Sequence, residues 1–340
     1  MKRLLALIIL VAVVAGLCAL EMKKRFETPL TLPLGGYMLN VVAGDSLRSV
    51  SEQLTADGVF EFPYVLRAYG RWTGLDQTIK RGEYRLMPGL TPASLLSLLQ
   101  SGKVVSYSVT LPEGITLSKA ISILAATDVL VTELTGVADP RIAELIAPLE
   151  LAEGLFLPET YRFERGDSDW QVLQRAYNAL QDVLAQEWAD RADELPYETL
   201  YEALIMASII ERETGVPSER PEIAGVFVRR LQKRMRLQTD PTVIYGLGQD
   251  FDGNLRRKHL ADEGNPYNSY RHHGLPPSPI ALAGRAAINA ALHPAPGTTL
   301  FFVAKGDGSH QFSTTLEEHE RAVRKYQLKR RQDYRSTPEK

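Results

Sequence analysis

Glu213 is the residue of this chain best placed to do chemistry. The segment Met206-Ala-Ser-Ile-Ile-Glu-Arg-Glu-Thr-Gly-Val-Pro-Ser-Glu-Arg220 reads as a helix followed by a break. A turn of about 100° per residue puts Ile205, Met206, Ile209 and Ile210 on one side, with Glu213 at the centre of that arc. Glu211, two residues back, falls almost opposite, on the polar side. An apolar environment disfavours the charged carboxylate and raises its pKa. Such a group suits general acid catalysis near neutral pH. Holding it neutral costs roughly 2.7 kcal/mol, so a chain seldom keeps one without a use. The competing reading is a glutamate in the last helical turn, ahead of Gly215 and Pro217, that reaches solvent or pairs with an arginine.

Polar groups bunch on two stiff segments farther along. Met235-Arg-Leu-Gln-Thr-Asp-Pro-Thr-Val-Ile-Tyr-Gly246 gathers Gln238, Thr239 and Asp240 just before a proline and an apolar run. Asn265-Pro-Tyr-Asn-Ser-Tyr270 adds Tyr267 and Asn268, and Gly274-Leu-Pro-Pro-Ser-Pro-Ile280 follows. Prolines hold the shape of a loop without needing backbone donors. Such groups around a helix-borne acid could wall an active site. Equally, Gln238 and Asn268 could do no more than satisfy loop backbones. Leu155-Phe-Leu-Pro-Glu-Thr-Tyr-Arg-Phe163 offers Glu159 and Tyr161 as further cleft residues, against the commoner use of such rings as core.

Other chemistries find little support. Six histidines are scattered, with no His-Glu-x-x-His or similar spacing, so no metal site is expected. No Gly-x-Ser-x-Gly elbow or phosphate-binding glycine loop occurs, and no cofactor is expected. Cys18 is the only cysteine, which removes disulfides and cysteine-based zinc sites. Lys and Arg number 39 against 41 Asp and Glu, a balance with no electrostatic footprint for nucleic acid.

The elements that must position these groups read as an α+β chain in several parts. Met-Lys-Arg precedes an uncharged run from Leu4 to Leu20, closed by Glu21 and Lys23-Lys24-Arg25. The run is at the lower limit for a membrane-spanning helix, about 17 residues. No small-x-small cleavage site follows it, so residues 1–21 read as an uncleaved transmembrane anchor in preference to a signal peptide. Basic residues at both ends leave its orientation open. Residues 22–38, with Pro29, Pro33 and Gly35-Gly36, read as a linker. Stretches beginning at Val42, Met87 and Leu111 share one grammar: a short strand, a glycine turn and a helix capped by Ser or Thr. Helices are expected from about Trp170 to Trp188 and from a cap at Ser218 to about Lys233. Strands are expected near Leu300–Ala304 and Gln311–Ser313, then a final helix from about Leu316.

Val41-Val-Ala-Gly-Asp-Ser-Leu47 and the helix after it resemble the opening of a LysM module, a small βααβ carbohydrate-binding fold. Residues 39–105 are read as that LysM-like module, with glycan binding and a purely structural role both open. An intermediate α+β region over 106–195 and a mixed α+β catalytic domain over 196–335 complete the division.

The longer motifs are Ala207-Ser-Ile-Ile-Glu-Arg-Glu-Thr214, Arg236-Leu-Gln-Thr-Asp-Pro-Thr-Val-Ile-Tyr-Gly246, Tyr267-Asn-Ser-Tyr270, Gly274-Leu-Pro-Pro277, and His310-Gln-Phe-Ser-Thr-Thr315 with His319. Together they resemble the YceG-like family, the endolytic murein transglycosylases, and the resemblance covers nearly the whole chain. It implies a lyase anchored in the bacterial inner membrane with its body on the periplasmic side. Such a lyase cuts the β-1,4 bond between N-acetylmuramic acid and N-acetylglucosamine within nascent glycan strands. The cut leaves 1,6-anhydro ends and limits elongation. The family's catalytic glutamate matches the second Glu of the Glu-x-Glu pair, Glu213. Gln238, Thr239, Asp240, Tyr267 and Asn268 then become candidates for binding the sugars. The implied partners are peptidoglycan strands and the membrane, with peptidoglycan synthases as candidates. Two alternatives remain. A muramidase-type hydrolase would need a second carboxylate, for which Asp240 and Glu219 are the local candidates. A non-enzymatic scaffold would bind the wall and recruit synthases.

Overall fold

The uncharged N-terminal run forms a helix, α1 (Lys2–Glu27), in the computed structural model, which describes residues 2–328. Over Leu4–Glu27 this helix is long and apolar enough to cross a membrane. It continues beyond the end expected from the charges. Phe26 on its last turn and Leu30 just after it are buried in a core with Leu39, Leu54 and Leu66. The stretch read as a linker is therefore partly helical and tied down. Two apolar side chains in five residues gain enough by burial to outweigh the entropy a free linker would keep.

Strand β1 (Tyr37–Val41) and helices α2 (Leu47–Ala56) and α3 (Pro63–Thr73) come next, followed by β2 (Gly82–Leu86) and α4 (Pro92–Ser101). β1 and β2 pair antiparallel, with Tyr37 opposite Leu86 and Val41 opposite Gly82. Their order with the helices is strand–helix–helix–strand. Ser46 and Thr91 close capping boxes with Ser49 and Ser94 at the starts of α2 and α4, so the shared grammar of these stretches has a common local cause.

The chain divides into two compact units. One comprises residues up to Tyr107 with Arg162–Asp167, and the other Ser108–Tyr161 with the residues from Ser168 onward. The divide falls within β3 (Ser106–Thr110) and β4 (Thr160–Glu164), which pair as a two-stranded sheet. The second unit is mostly helical, with α5 (Leu117–Ala125), α6 (Pro140–Ile146), α7 (Asp169–Ala189), α8 (Leu200–Glu213) and α9 (Arg220–Gln232). Then follow α10 (Asp240–Leu247), α11 (Arg257–Ala261), α12 (Arg285–Leu292), the antiparallel pair β5 (Phe301–Ala304) and β6 (His310–Ser313), and α13 (Leu316–Val323). Among the described residues the chain is mixed α+β.

Helix α8 is the axis of this unit. Thr199 caps it in a box with Glu202. Every residue from Ala203 to Ile210 is buried, and the helix packs against α7, α9, α10 and α12. A helix covered on all sides has no solvent face, which overturns the expectation for Glu211. Its side chain is 4% exposed and pairs at 2.9 Å with Arg220, itself 9% exposed. The wheel separated the two glutamates correctly, but the side opposite Glu213 is protein, not water. Ser218 is not a cap either. A short turn over Pro217–Glu219 leads into α9, whose first residues have no side-chain cap.

Candidate active site

The helix that carries Glu213 stops at that residue. Thr214 is extended, and its hydroxyl accepts from the Val216 amide at 3.0 Å. It also donates to Glu219 Oε2 at 3.3 Å. Glu219 in turn accepts from the His310 amide at 2.8 Å and lies 2.7 Å from His310 Nδ1. The backbone after Glu213 is thus tied to strand β6. His319 stacks on Phe301 with ring centroids 5.2 Å apart, and burial pushes its pKa down.

The Glu213 side chain accepts a hydrogen bond from the Thr239 hydroxyl. Thr239 precedes α10 in an N-cap position, yet its hydroxyl makes no cap bond. It is turned to Glu213 instead. The loop that presents it is stiffly held. The Thr239 amide donates to Ser269 Oγ at 2.9 Å, and Ser269 Oγ lies 2.8 Å from Thr242 Oγ1. Gln238 has φ of +54°, a left-handed conformation uncommon for a residue with a side chain. Its amide donates to the Ser269 carbonyl at 3.2 Å. Arg230, buried on α9, donates to the Leu300 carbonyl at 2.7 Å, the Leu237 carbonyl at 2.8 Å and Gln238 Oε1 at 3.3 Å.

Burial pushes the Glu213 pKa up to about 7. The Thr239 hydrogen bond works against that rise, the charge of Asp240 adds to it, and Arg212 and Arg230 oppose it. Burial outweighs them because desolvation acts on the whole carboxylate, whereas Thr239 supplies a single hydrogen bond and the two arginines act through charge alone. Asp240 is exposed and accepts from the Tyr270 hydroxyl at 2.7 Å. Burial, with Asp240 next, holds that phenol well above the ordinary tyrosine range. An acid that is half protonated near neutral pH and held by a fixed donor can both give and take a proton.

The remaining candidates separate. Thr239 touches Glu213, Asp240 is adjoining, and Gln238 is exposed beside them. Asn268 is wholly buried. Its amide group donates to the carbonyls of His259, Leu260 and Asp262 at 3.1, 3.3 and 2.6 Å, and its Oδ1 accepts from the Tyr270 amide at 3.1 Å. Its polar atoms are committed to shaping the loop. Tyr267 packs on Tyr245 and lies 2.7 Å from Ser278 Oγ. Tyr161 is core, with its hydroxyl on the Leu157 carbonyl at 2.6 Å, and Glu159 is exposed.

Sequence reasoning missed Arg230, Ser269 and Tyr270 as parts of the cluster. Ser269 and Tyr270 lie in the Tyr-Asn-Ser-Tyr motif, a signal that could have found them. Arg230 had none. A further acid, Glu153, was also missed. It accepts from the Leu117 amide at 2.8 Å and the Tyr245 hydroxyl at 3.4 Å, and burial pushes its pKa up. It lines a separate cavity of about 410 Å³ with Ile142, Tyr245 and Ser278.

The YceG-like family model matches residues 39–325. A Bacillus subtilis (strain 168) protein named endolytic murein transglycosylase is 29% identical over 309 residues, covering 85% of this chain and 84% of its own length. A protein of the same name from Streptococcus pneumoniae serotype 2 (strain D39) is 24% identical over 319 residues. That match covers 84% of this chain but 57% of the relative. The crystal structure of a YceG-like protein from Listeria monocytogenes superposes with a TM-score of 0.54 at 30% identity, covering 85% of this chain and 99% of the other. With a family model matched over most of its length and a fold neighbour of the same description, this chain belongs to the YceG-like family.

Proposed function

We propose that this protein is an endolytic peptidoglycan lytic transglycosylase in which Glu213 is both acid and base. The observation that carries the reading is a carboxyl pushed up to about 7 by burial and gripped by the Thr239 hydroxyl. Protonated Glu213 gives its proton to the oxygen that links N-acetylmuramic acid to N-acetylglucosamine. The C1–O4 bond breaks and an oxocarbenium-like state develops at C1. The Glu213 carboxylate then takes the proton of the C6 hydroxyl on the same muramic residue, and O6 closes on C1. One bond breaks, one forms, and the 1,6-anhydro product accounts for all atoms without water.

An intramolecular nucleophile needs no second carboxylate to activate it. The local alternatives are already engaged, Asp240 by Tyr270 and Glu219 by His310 and Thr214. That supports ring closure over a hydrolytic pair. Gln238, Thr239 and Asp240 are the groups we assign to the sugars beside the bond. Tyr267 packs on Tyr245, and Asn268 positions the loop. We read α1 as a single-pass anchor in the bacterial inner membrane with the body on the periplasmic side, acting on nascent strands to limit their elongation. The strand–helix–helix–strand order from β1 to β2 supports a LysM-like module there.

The test is mass spectrometry of products from the full chain incubated with uncrosslinked glycan strands. Internal fragments with anhydromuramic ends, lost in Glu213→Gln and kept in Glu159→Gln at an exposed glutamate, are expected. Strands that bind without being cut would refute the enzyme in favour of a scaffold.

A further inference from the structure

The first unit carries an apolar groove between α1 and α3. It encloses about 610 Å³ and is lined by Ala19, Met22 and Phe26 of α1 and Val65, Tyr69 and Trp72 of α3. Phe26 stacks on Tyr69 with centroids 3.6 Å apart, and Tyr69 meets Trp72 edge-on at 5.7 Å. Trp72, at the open end of this aromatic row, is 82% exposed. No other tryptophan of the chain is among the exposed large apolar residues. Large exposed apolar patches mark interaction surfaces.

The position of the groove along α1 says what covers it. The uncharged run from Leu4 to Leu20 rises only about 25 Å, whereas the hydrocarbon core of a bilayer is about 30 Å thick. A span shorter than the core draws its flanking residues toward the boundary, with lysines reaching out to the headgroups. Met22 and Phe26 are those flanking residues, and Lys23 and Lys24 lie between them, exposed. Phe26 is about 9 Å along the helix from Leu20, and the headgroup region adds about 5–7 Å beyond the core on each side. The groove, which starts at Ala19, therefore begins inside the core edge and ends at the outer headgroup surface. Tryptophan and tyrosine favour that depth, because their rings are apolar with one polar atom. Lys23 also lines the groove, with Glu27 3.9 Å from its ammonium, and both are well exposed, so the Lys23 cation is free to turn to a lipid phosphate.

We infer that this groove seats bilayer phospholipid, with acyl chain segments against Met22, Tyr69 and Trp72 and a phosphate near Lys23. The strand–helix–helix–strand unit is thereby docked on the membrane surface that α1 crosses. The inference rests on the reading of α1 as a spanning anchor.

The experiment reconstitutes the full chain in phosphatidylcholine–phosphatidylglycerol vesicles whose acyl chains are brominated either near the headgroup or near the terminal methyl. Bromine quenches indole fluorescence only on contact. Trp72 is one of three tryptophans, so shallow bromines are expected to remove up to about a third of the emission. That quenching should fall by at least half in Trp72→Phe, a change too conservative to unfold a unit in which the ring is exposed. A Leu10→Trp probe placed in Trp72→Phe monitors the anchor and should respond to the deep bromines. If Leu10→Trp is quenched but wild type and Trp72→Phe behave alike, the groove does not hold lipid and the inference falls. If Leu10→Trp is not quenched either, α1 does not span and the anchor reading falls with it.

Discussion

Replacing Thr239 by valine should make Glu213 a weaker acid. The hydroxyl donates to Glu213 Oε1 and favours the charged carboxylate, holding the pKa below where burial alone would put it. Valine matches threonine in shape and leaves the Thr239 backbone contacts to Ser269 in place. A hydrogen bond to a charged group contributes about 1.5–3 kcal/mol, and each pH unit corresponds to about 1.4 kcal/mol. Starting from about 7, the Glu213 pKa should therefore move to about 8 or higher in Thr239→Val. The assay is the pH dependence of kcat/KM on uncrosslinked strands over roughly pH 5 to 10, in which the alkaline limb reports the free enzyme's acid. The limb should shift upward by at least about one pH unit. An unmoved limb, or one displaced to lower pH, would show that Thr239 does not stabilise the charged form and would refute the electrostatic argument.

Other outcomes follow from the same geometry. The folded pKa of Glu213 lies above its ordinary 4.5, so its charged form opposes folding. The carboxyl costs nothing below about pH 4.5, and stability is lost as pH rises through about 7. Glu213→Gln should thus be more stable than wild type by up to about 3 kcal/mol near pH 8 and equal to it near pH 4, as measured by urea midpoints. Arg220→Met strands Glu211 without its cation and should cost about 3–5 kcal/mol, read as a lowered Tm. Arg230→Met leaves the Leu237 and Leu300 carbonyls without their donor. We expect a loss of about 2–4 kcal/mol in denaturant titration and a fall in kcat, with Arg230→Lys a poor rescue because it lacks the planar fork. In Gly225→Ala the new Cβ would stand 2.4 Å from the Ala295 carbonyl oxygen. That backbone atom cannot swing aside, so a cost of about 1–3 kcal/mol is expected in the same titration.

How much of this was legible in the sequence depended on whether a residue's neighbours were local. The buried acid was legible because Ile209, Ile210 and Glu213 lie within one helical turn or so, and helical geometry alone sets their faces. The Thr239 loop was legible as a cluster because its polar groups are consecutive. The donor role of Thr239 was not, since a hydroxyl in that position ordinarily caps its own helix. Glu211 misled because a wheel gives direction but not what lies there, and its partner Arg220 arrives by way of a later turn. Arg230 reads as half of a basic pair at a helix end, and only the return of residues 236–238 and 300 makes it a hub. Asn268 was singled out for its type, yet the same amide suits a loop tether as well as a sugar contact. The final strand pair and helix fell where expected, at Phe301–Ala304, His310–Ser313 and Leu316–Val323, because turns and caps are local signals. Residues Val243 to Gly246 read as an apolar run, but Pro241 in the first turn starts a helix there.

The central claim is that the muramic C6 hydroxyl, not water, attacks C1 while Glu213 moves the proton. It is tested most directly by digesting glycan strands in water enriched in heavy oxygen and weighing the new ends. The account predicts anhydro ends that carry no heavy oxygen and that disappear in Glu213→Gln. Reducing ends that have gained one heavy oxygen would contradict it and require a base to activate water.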